Sequence, residues 1–304
     1  MSDLRVSFCG LTFQNPVFTA SGTFSARASG KFYDFSRLGA VTAKGVAIEP
    51  WEGNATPRVA ETYGGMLNAI GLENPGVERF LSEELPLIRA GIGSSGTKII
   101  ANVAGHSLEE YVWAAQRLDA AGVDLLELNI SCPNIRCGGV SFGADPSLAA
   151  KVTETVKRAV SRPLVVKLTP NVRDIAEIAR ACEGAGADAI SLINTLMGMR
   201  IDVKARRFTL ANRTGGLSGP AVLPVALYMT YQAAHAVKLP VIGMGGISRG
   251  EDAAEFLMAG ARAVAVGTAA LADPVAPVRI LDELEEFMEE NGFADVEAVR
   301  NALS

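Results

Sequence analysis

The chain has 304 residues, 49% hydrophobic and 20% charged, a balance suited to a globular protein with a large core. Its formal net charge of −5 gives no reason to expect nucleic acid or an anionic membrane surface as partner. Four scattered cysteines and two histidines exclude a disulfide scaffold, make a zinc site unexpected and leave little room for a Ser-His or Cys-His triad.

The N-terminus, MSDLRVSFCG, shows neither an apolar signal core nor a transit pattern, and no apolar run approaches the roughly 18 residues that span a bilayer. A cytoplasmic protein is expected. Strand candidates then follow in order. NPVFTASG begins at Asn15 and AVTAKGV at Ala40, and residues 47–97 form a long excursion with turn signals such as Glu73-Asn74-Pro75-Gly76. KIIANVAG from Lys98 leads into the helical pattern SLEEYVWAAQRLDAAG, which Ser107 and Glu110 cap and Gly122 stops. DLLELNIS from Asp124 precedes DPSLAAKVTETVKRAVS, capped by Asp145. PLVVKLTP from Pro163 precedes DIAEIARACEGAGAD, with a stop at Gly184 or Gly186. After AISLINT from Ala189 comes a second excursion, residues 196–219. PVIGMGGI from Pro240 and AVAVGTA from Ala263 complete the series.

Near-continuous apolar strands suit a parallel sheet buried on both faces. Eight of them with helical crossovers predict an α/β fold, a (β/α)8 TIM barrel, with residues 1–304 as one domain. A doubly wound open sheet is the alternative that the pattern allows. Both excursions follow a strand, so they are loop or β-ribbon insertions at the C-terminal face, where barrels build active sites. They are either functional or ornamental.

The chemistry-bearing residues cluster at the strand ends. Gly245 and Gly246 after strand seven, Gly267 and Thr268 after strand eight, and Gly219 before a helical pattern could cradle a phosphate with backbone N–H groups. Simple tight-turn chemistry is the competing reading. Cys132 follows strand four and precedes Pro133, so it belongs to a loop over the mouth; a thiol there is either a packing group or a base. Asn68, Asn129, Asn134 and Asn194 offer donors and acceptors together, which suits a flat, neutral, imide-like ligand. Lys44 and Lys167 fall inside apolar strands. There a cation either makes a structural ion pair or holds negative charge on a ligand.

The string NISCPN, with TAKGV, NAIGLENPG, VVKLTPN, SLINT, GGLSGPA, GMGGI and VGTA around it, resembles the class 1 dihydroorotate dehydrogenases over nearly the whole chain. NTLMGMRIDV and GGLSGPA are most similar to the 1B subgroup, which passes electrons to NAD. The resemblance implies an FMN-dependent oxidation of dihydroorotate to orotate, with Cys132 as catalytic base and Lys44 and Lys167 at the reacting centre. It implies Ser21, Lys44, Gly45, Asn102, Asn129, Lys167 and Ile193 around the flavin ring and ribityl chain. Gly219, Gly245, Gly246, Gly267 and Thr268 would hold the phosphate. Lys44, Asn68, Ala69, Ile70, Gly71, Leu72, Asn129, Asn134, Asn194 and Thr195 would bind the substrate.

In the sequence no GxGxxG follows a strand into a helix, and there is no iron–sulfur cysteine set. The resemblance therefore implies a partner subunit carrying FAD and a [2Fe–2S] cluster, in a heterotetramer built on a homodimer of this chain. The alternatives are a fumarate-linked class 1A enzyme, a non-catalytic flavin-binding subunit, and a flavin barrel acting on tRNA uridine, which the acidic charge disfavours.

Overall fold

In the computed structural model, residues 2–131 and 142–303 are described in full and residues 136–137 and 140–141 by their backbone alone. The eight apolar segments become the parallel strands β1 (Val17–Thr19), β2 (Ala40–Thr42), β3 (Lys98–Val103), β4 (Leu125–Asn129), β5 (Leu164–Lys167), β6 (Ala189–Leu192), β7 (Val241–Met244) and β8 (Ala263–Val266). They close on themselves in chain order, β8 pairing β1, so the structure is a closed barrel and not an open sheet. Burial on both faces explains the unbroken Val, Ile, Leu and Ala runs: every residue of β4, β5, β6, β7 and β8 is buried.

The main crossover helices are α1 (Ala26–Ser29), α2 (Leu85–Ile92), α3 (Leu108–Ala120), α4 (Pro146–Ala159), α5 (Ile175–Gly184), α6 (Leu223–Ala236), α7 (Gly250–Met258) and α8 (Ala276–Glu290). Their boundaries follow local chemistry. Ser107 caps α3 by accepting from the Glu110 N–H at 3.2 Å, and Glu110 reaches back to the His106 N–H at 2.7 Å. Asp145 caps α4 through the N–H groups of Ser147 and Leu148, at 2.9 and 3.0 Å. Of the two candidate stops after α5, Gly186 takes the role: its φ is +91°, whereas Gly184 still belongs to the helix. Among the described residues no helix is long and apolar enough to cross a membrane.

A hairpin that the sequence pattern did not suggest precedes β1. Val6–Phe8 pairs antiparallel with Leu11–Phe13 across the two-residue turn Cys9-Gly10. Both turn residues take positive φ, +52° and +73°, the twist that a tight hairpin needs. The hairpin stacks Phe8 on Phe13 and sets Phe13 against Phe18 of β1 with centroids 5.0 Å apart.

The two excursions turn out to be one structure. Val59–Thr62 and Gly65–Asn68 from the first join Leu196–Met199 and Thr214–Ser218 from the second in a four-stranded antiparallel sheet above the C-terminal end of the barrel. Its central pairing sets Asn68 opposite Gly216 and Leu67 opposite Leu217. A second hairpin, Ile201–Asp202 with Arg207–Phe208, extends from it.

Candidate functional site

The C-terminal ends of β3, β4, β5 and β6 surround a set of buried polar groups, unusual in a barrel otherwise filled by aliphatic side chains. Asn102, Glu127, Asn129 and Lys167 are 0%, 3%, 4% and 4% exposed, so each must find its partners inside the protein. Lys167 Nζ donates to Ser21 Oγ at 3.0 Å and lies 4.0 Å from Glu127 Oε2. The same carboxylate oxygen accepts from Asn102 Nδ2 at 2.5 Å, and Oε1 accepts from Ser191 Oγ at 2.8 Å. Asn129 donates to Asn102 Oδ1 at 3.4 Å and accepts from Ser131 Oγ at 2.5 Å. Ser131 Oγ in turn accepts from Asn194 Nδ2. Tyr111 of α3 anchors the end of β4 by donating to the Asn129 carbonyl at 2.7 Å.

Lys44 departs from its expected place. The strand ends at Thr42, so Lys44 stands just beyond β2, half-buried, and not within the apolar strand. Among the described residues it has no hydrogen bond or ion pair, whereas Lys167 does lie in its strand. Gly45 follows it, and a Cβ there would stand 2.9 Å from Asn102 Oδ1 and 3.7 Å from Leu72. Gly45→Ala is therefore expected to push the Asn102 amide aside and to destabilise the protein by about 1 kcal/mol, the weight of one buried hydrogen bond. Denaturant unfolding checks this, and wild-type stability would refute it.

The strip from Asn68 to Leu72 is held by its neighbours. Asn54 donates its backbone N–H to the Ile70 carbonyl and its side-chain amide to the Ala69 carbonyl, both at 2.9 Å. Gly71 and Leu72 both take positive φ, +78° and +54°. The buried Asn74 pins the strip to the segment after Lys44: Oδ1 accepts from the Ala47 N–H at 3.1 Å while Nδ2 donates to the Leu72 carbonyl at 2.8 Å. At the strip's start, Asn68 reaches the Gly216 carbonyl at 3.5 Å. A Cβ on Gly216 would collide with Thr195, so Asn68 and Thr195 meet at that glycine. Asn171, between β5 and α5, donates to the Thr195 carbonyl at 3.0 Å and accepts from the Met197 N–H at 2.9 Å.

Across the barrel, Gly245 and Gly246 take φ of +133° and +84°. Their α-carbons abut the first turn of α6: added Cβ atoms would stand 2.6 Å from Ala226 and 2.8 Å from Leu223. Ile193 packs on the other side of Gly245, and Gly219, with φ +103°, turns the chain into α6. Among the described residues, the backbone N–H groups of Gly245, Gly246, Gly267 and Thr268 donate to no protein acceptor. Four unpaired donors at the ends of two adjacent strands are a site for an anion with several acceptor oxygens.

Cys132 and Asn134 lie outside the described residues. Two other thiols are packing groups: burial pushes Cys9 and Cys182 up to about 12. Both therefore stay protonated and unreactive near neutrality. At pH 8, alkylation of the native protein is expected to spare Cys9 and Cys182 and to become rapid at both only on unfolding; peptide mapping reads this directly.

Sequence reasoning missed Glu127, Ser131, Asn171 and Ser191. For Glu127 the signal was present, since a charge inside the apolar run DLLELNIS is the same feature that singled out Lys167. The serines and Asn171 carry no local signal, because their role exists only where strands β4, β5 and β6 converge.

The model of the family described as dihydroorotate dehydrogenase matches residues 3–288. The NAD(+)-dependent dihydroorotate dehydrogenase B catalytic subunit of Lachnoclostridium phytofermentans is 55% identical over 293 residues, covering 96% of each chain. The catalytic subunit of the same description from Alkaliphilus metalliredigens is 53% identical over 302 residues, covering 99% of each chain. A solved structure of DHODH in complex with ferulenol, from Eimeria tenella, superposes with a TM-score of 0.81 at 22% identity, covering 98% of this chain and 88% of that one, and bears on the fold alone. With a family match over residues 3–288 and relatives this similar along almost their whole length, the chain belongs to the dihydroorotate dehydrogenase family.

Proposed function

We propose that this chain is the catalytic subunit of an NAD-linked dihydroorotate dehydrogenase, which oxidises (S)-dihydroorotate to orotate in pyrimidine biosynthesis. The observation that carries the reading is the buried group of Lys167, Glu127, Asn102 and Asn129 facing, across one barrel mouth, four unpaired N–H donors. The names of the relatives supply the substrate and the NAD linkage.

FMN fits these residues. Its phosphate matches the free donors of Gly245, Gly246, Gly267 and Thr268, with Gly219 beside them. The polar edge of its ring matches Lys167, Asn102 and Asn129, and Gly45 leaves the space that a side chain would fill. Ser21, Lys44 and Ile193 complete its surroundings. When bound, FMN supplies the two-electron hydride acceptor that no protein side chain provides.

The chain's own residues position and deprotonate. The Cys132 thiolate removes the proton from C5 of dihydroorotate. Lys167 brings a fixed cation, desolvated by burial, to the edge where negative charge develops. Asn129, Asn194 and Thr195 hold the pyrimidine ring and its carboxylate, helped by Asn134. The strip Asn68, Ala69, Ile70, Gly71 and Leu72, with Lys44, closes the substrate from the other side. Residues 1–304 act as one cytoplasmic FMN unit, a homodimer that joins a partner subunit carrying FAD and a [2Fe–2S] cluster in a heterotetramer.

Anaerobic mixing of the purified chain with dihydroorotate, followed by flavin absorbance, tests the reading. Rapid bleaching is expected, with reoxidation by NAD only when the partner is added. A yellow protein that dihydroorotate cannot bleach would sink the substrate assignment, and fumarate-supported turnover by the chain alone would sink the NAD linkage.

A further inference from the structure

We propose that Glu127 is a positioning residue for this reaction: one buried carboxylate sets the sense of the Asn102 amide, so that Asn102 accepts from the substrate-facing Asn129, and counterbalances the Lys167 ammonium. The proposal rests on the dihydroorotate reading above, which assigns Asn102, Asn129, Asn194 and Lys167 to the ligands but gives Glu127 nothing to do.

The argument is one of hydrogen-bond direction. An ionised carboxylate accepts and cannot donate. Glu127 Oε2 must therefore face the NH2 of Asn102, which it does at 2.5 Å. That leaves the Asn102 carbonyl oxygen to accept from the Asn129 NH2 at 3.4 Å. The Asn129 oxygen is then left for the Ser131 hydroxyl, at 2.5 Å, and the Ser131 oxygen for the Asn194 NH2. The Asn194 oxygen accepts from the Thr195 N–H at 2.9 Å. Every link runs the same way. Backbone donors, which cannot turn round, hold the far end: the Ser131 N–H donates to Asn129 Oδ1 at 3.3 Å, as the Thr195 N–H does to Asn194. Among the described residues Asn102 has no such backbone donor, so the carboxylate is the group that fixes its amide and thereby turns its oxygen toward the Asn129 NH2. Ser191 holds the second oxygen at 2.8 Å and thereby fixes the plane of the carboxylate.

The electrostatic part is separable. Glu127 is the nearest acid to Lys167, at 4.0 Å, and both are almost fully buried. Without that negative charge, the ammonium would act on a bound flavin undiminished. The two parts predict opposite effects on reduction, which no general loosening of the barrel would produce.

The test uses the full chain loaded with FMN, as wild type, Glu127→Gln and Glu127→Asp. Glutamine removes the charge and can donate as readily as accept. In that variant the flavin reduction equilibrium is expected to shift toward the reduced form about tenfold, which is about 30 mV for a two-electron couple. Orotate affinity and the rate of bleaching by dihydroorotate are expected to fall at least tenfold in the same protein. Aspartate keeps the charge but is shorter, so its potential stays at the wild-type value while orotate binding weakens. An unchanged potential in Glu127→Gln, or a lower one, overturns the proposal, as does unchanged orotate affinity. If the glutamine variant fails to hold flavin, Glu127→Asp decides: wild-type orotate affinity there overturns the proposal. The potential needs no substrate, so a wild-type protein that dihydroorotate fails to bleach would remove the substrate reading and still leave the charge effect of Glu127 measurable.

Discussion

Cys132→Ser is expected to keep its yellow colour and lose about 10²–10⁴-fold in the rate of flavin bleaching by dihydroorotate at neutral pH, the usual weight of a general base. The cause is basicity. A free thiol ionises near pH 8.5, so part of it is thiolate close to neutrality, whereas a serine hydroxyl has no comparable fraction of alkoxide. The wild-type rate should accordingly climb with pH toward the thiol pKa, and the serine variant should regain ground only in strong alkali. Neither Cys9 nor Cys182 can substitute, since burial pushes both up to about 12 and fixes them in the core cluster or against it. A wild-type rate that is flat from about pH 6 to 9.5 would remove the cysteine from the role of base.

Lys167→Met is expected to damage stability and chemistry together. Removing one partner of a buried ion pair strands the other charge, at a cost of about 3–5 kcal/mol. Glu127 keeps its hydrogen bonds from Asn102 and Ser191, which places the expected loss at the lower end of that range. Chemically, the mouth loses its only deeply buried cation among the described residues, and flavin reduction should slow about 10²-fold or more, the order found when one preorganised charge-stabilising donor is removed. Pairing the change with Glu127→Gln separates the two effects. The double variant should recover part of the stability, because no orphan charge remains and the glutamine amide can still pair with Asn102 and Ser191, but none of the lost rate. Denaturant unfolding and stopped-flow bleaching measure the two quantities; a Lys167→Met protein as stable as wild type would show that the pair carries no net structural weight.

The extent to which the site could be read in advance depended on how local each signal was. Gly245, Gly246, Gly267 and Thr268 were legible as backbone at strand ends, because strand ends follow from the apolar runs. Lys167 was legible because a charge within such a run is conspicuous. Lys44 was legible as a residue but misplaced, since β2 stops at Thr42 and the apolar pattern continues past it. Asn74 was read only as part of a turn, yet its side chain ties Ala47 to Leu72 and so joins the Lys44 segment to the strip from Asn68 to Leu72.

What the amino-acid sequence determined by itself is what periodicity and capping encode: eight apolar strands, the capped helices between them, the glycines at the rim and the face on which the insertions fall. These depend on neighbours within a few residues, and such neighbours are present in the sequence. Only the tertiary structure decided that the barrel closes, that the two excursions share one sheet with Asn68 opposite Gly216, and that Glu127 meets Asn102, Ser191 and Lys167. Those partners lie between 25 and 148 residues apart in the chain. Hydrogen bonds act over about 3 Å and carry no trace in local composition, so their pairing emerges only when parallel strands bring distant residues to one end of the barrel.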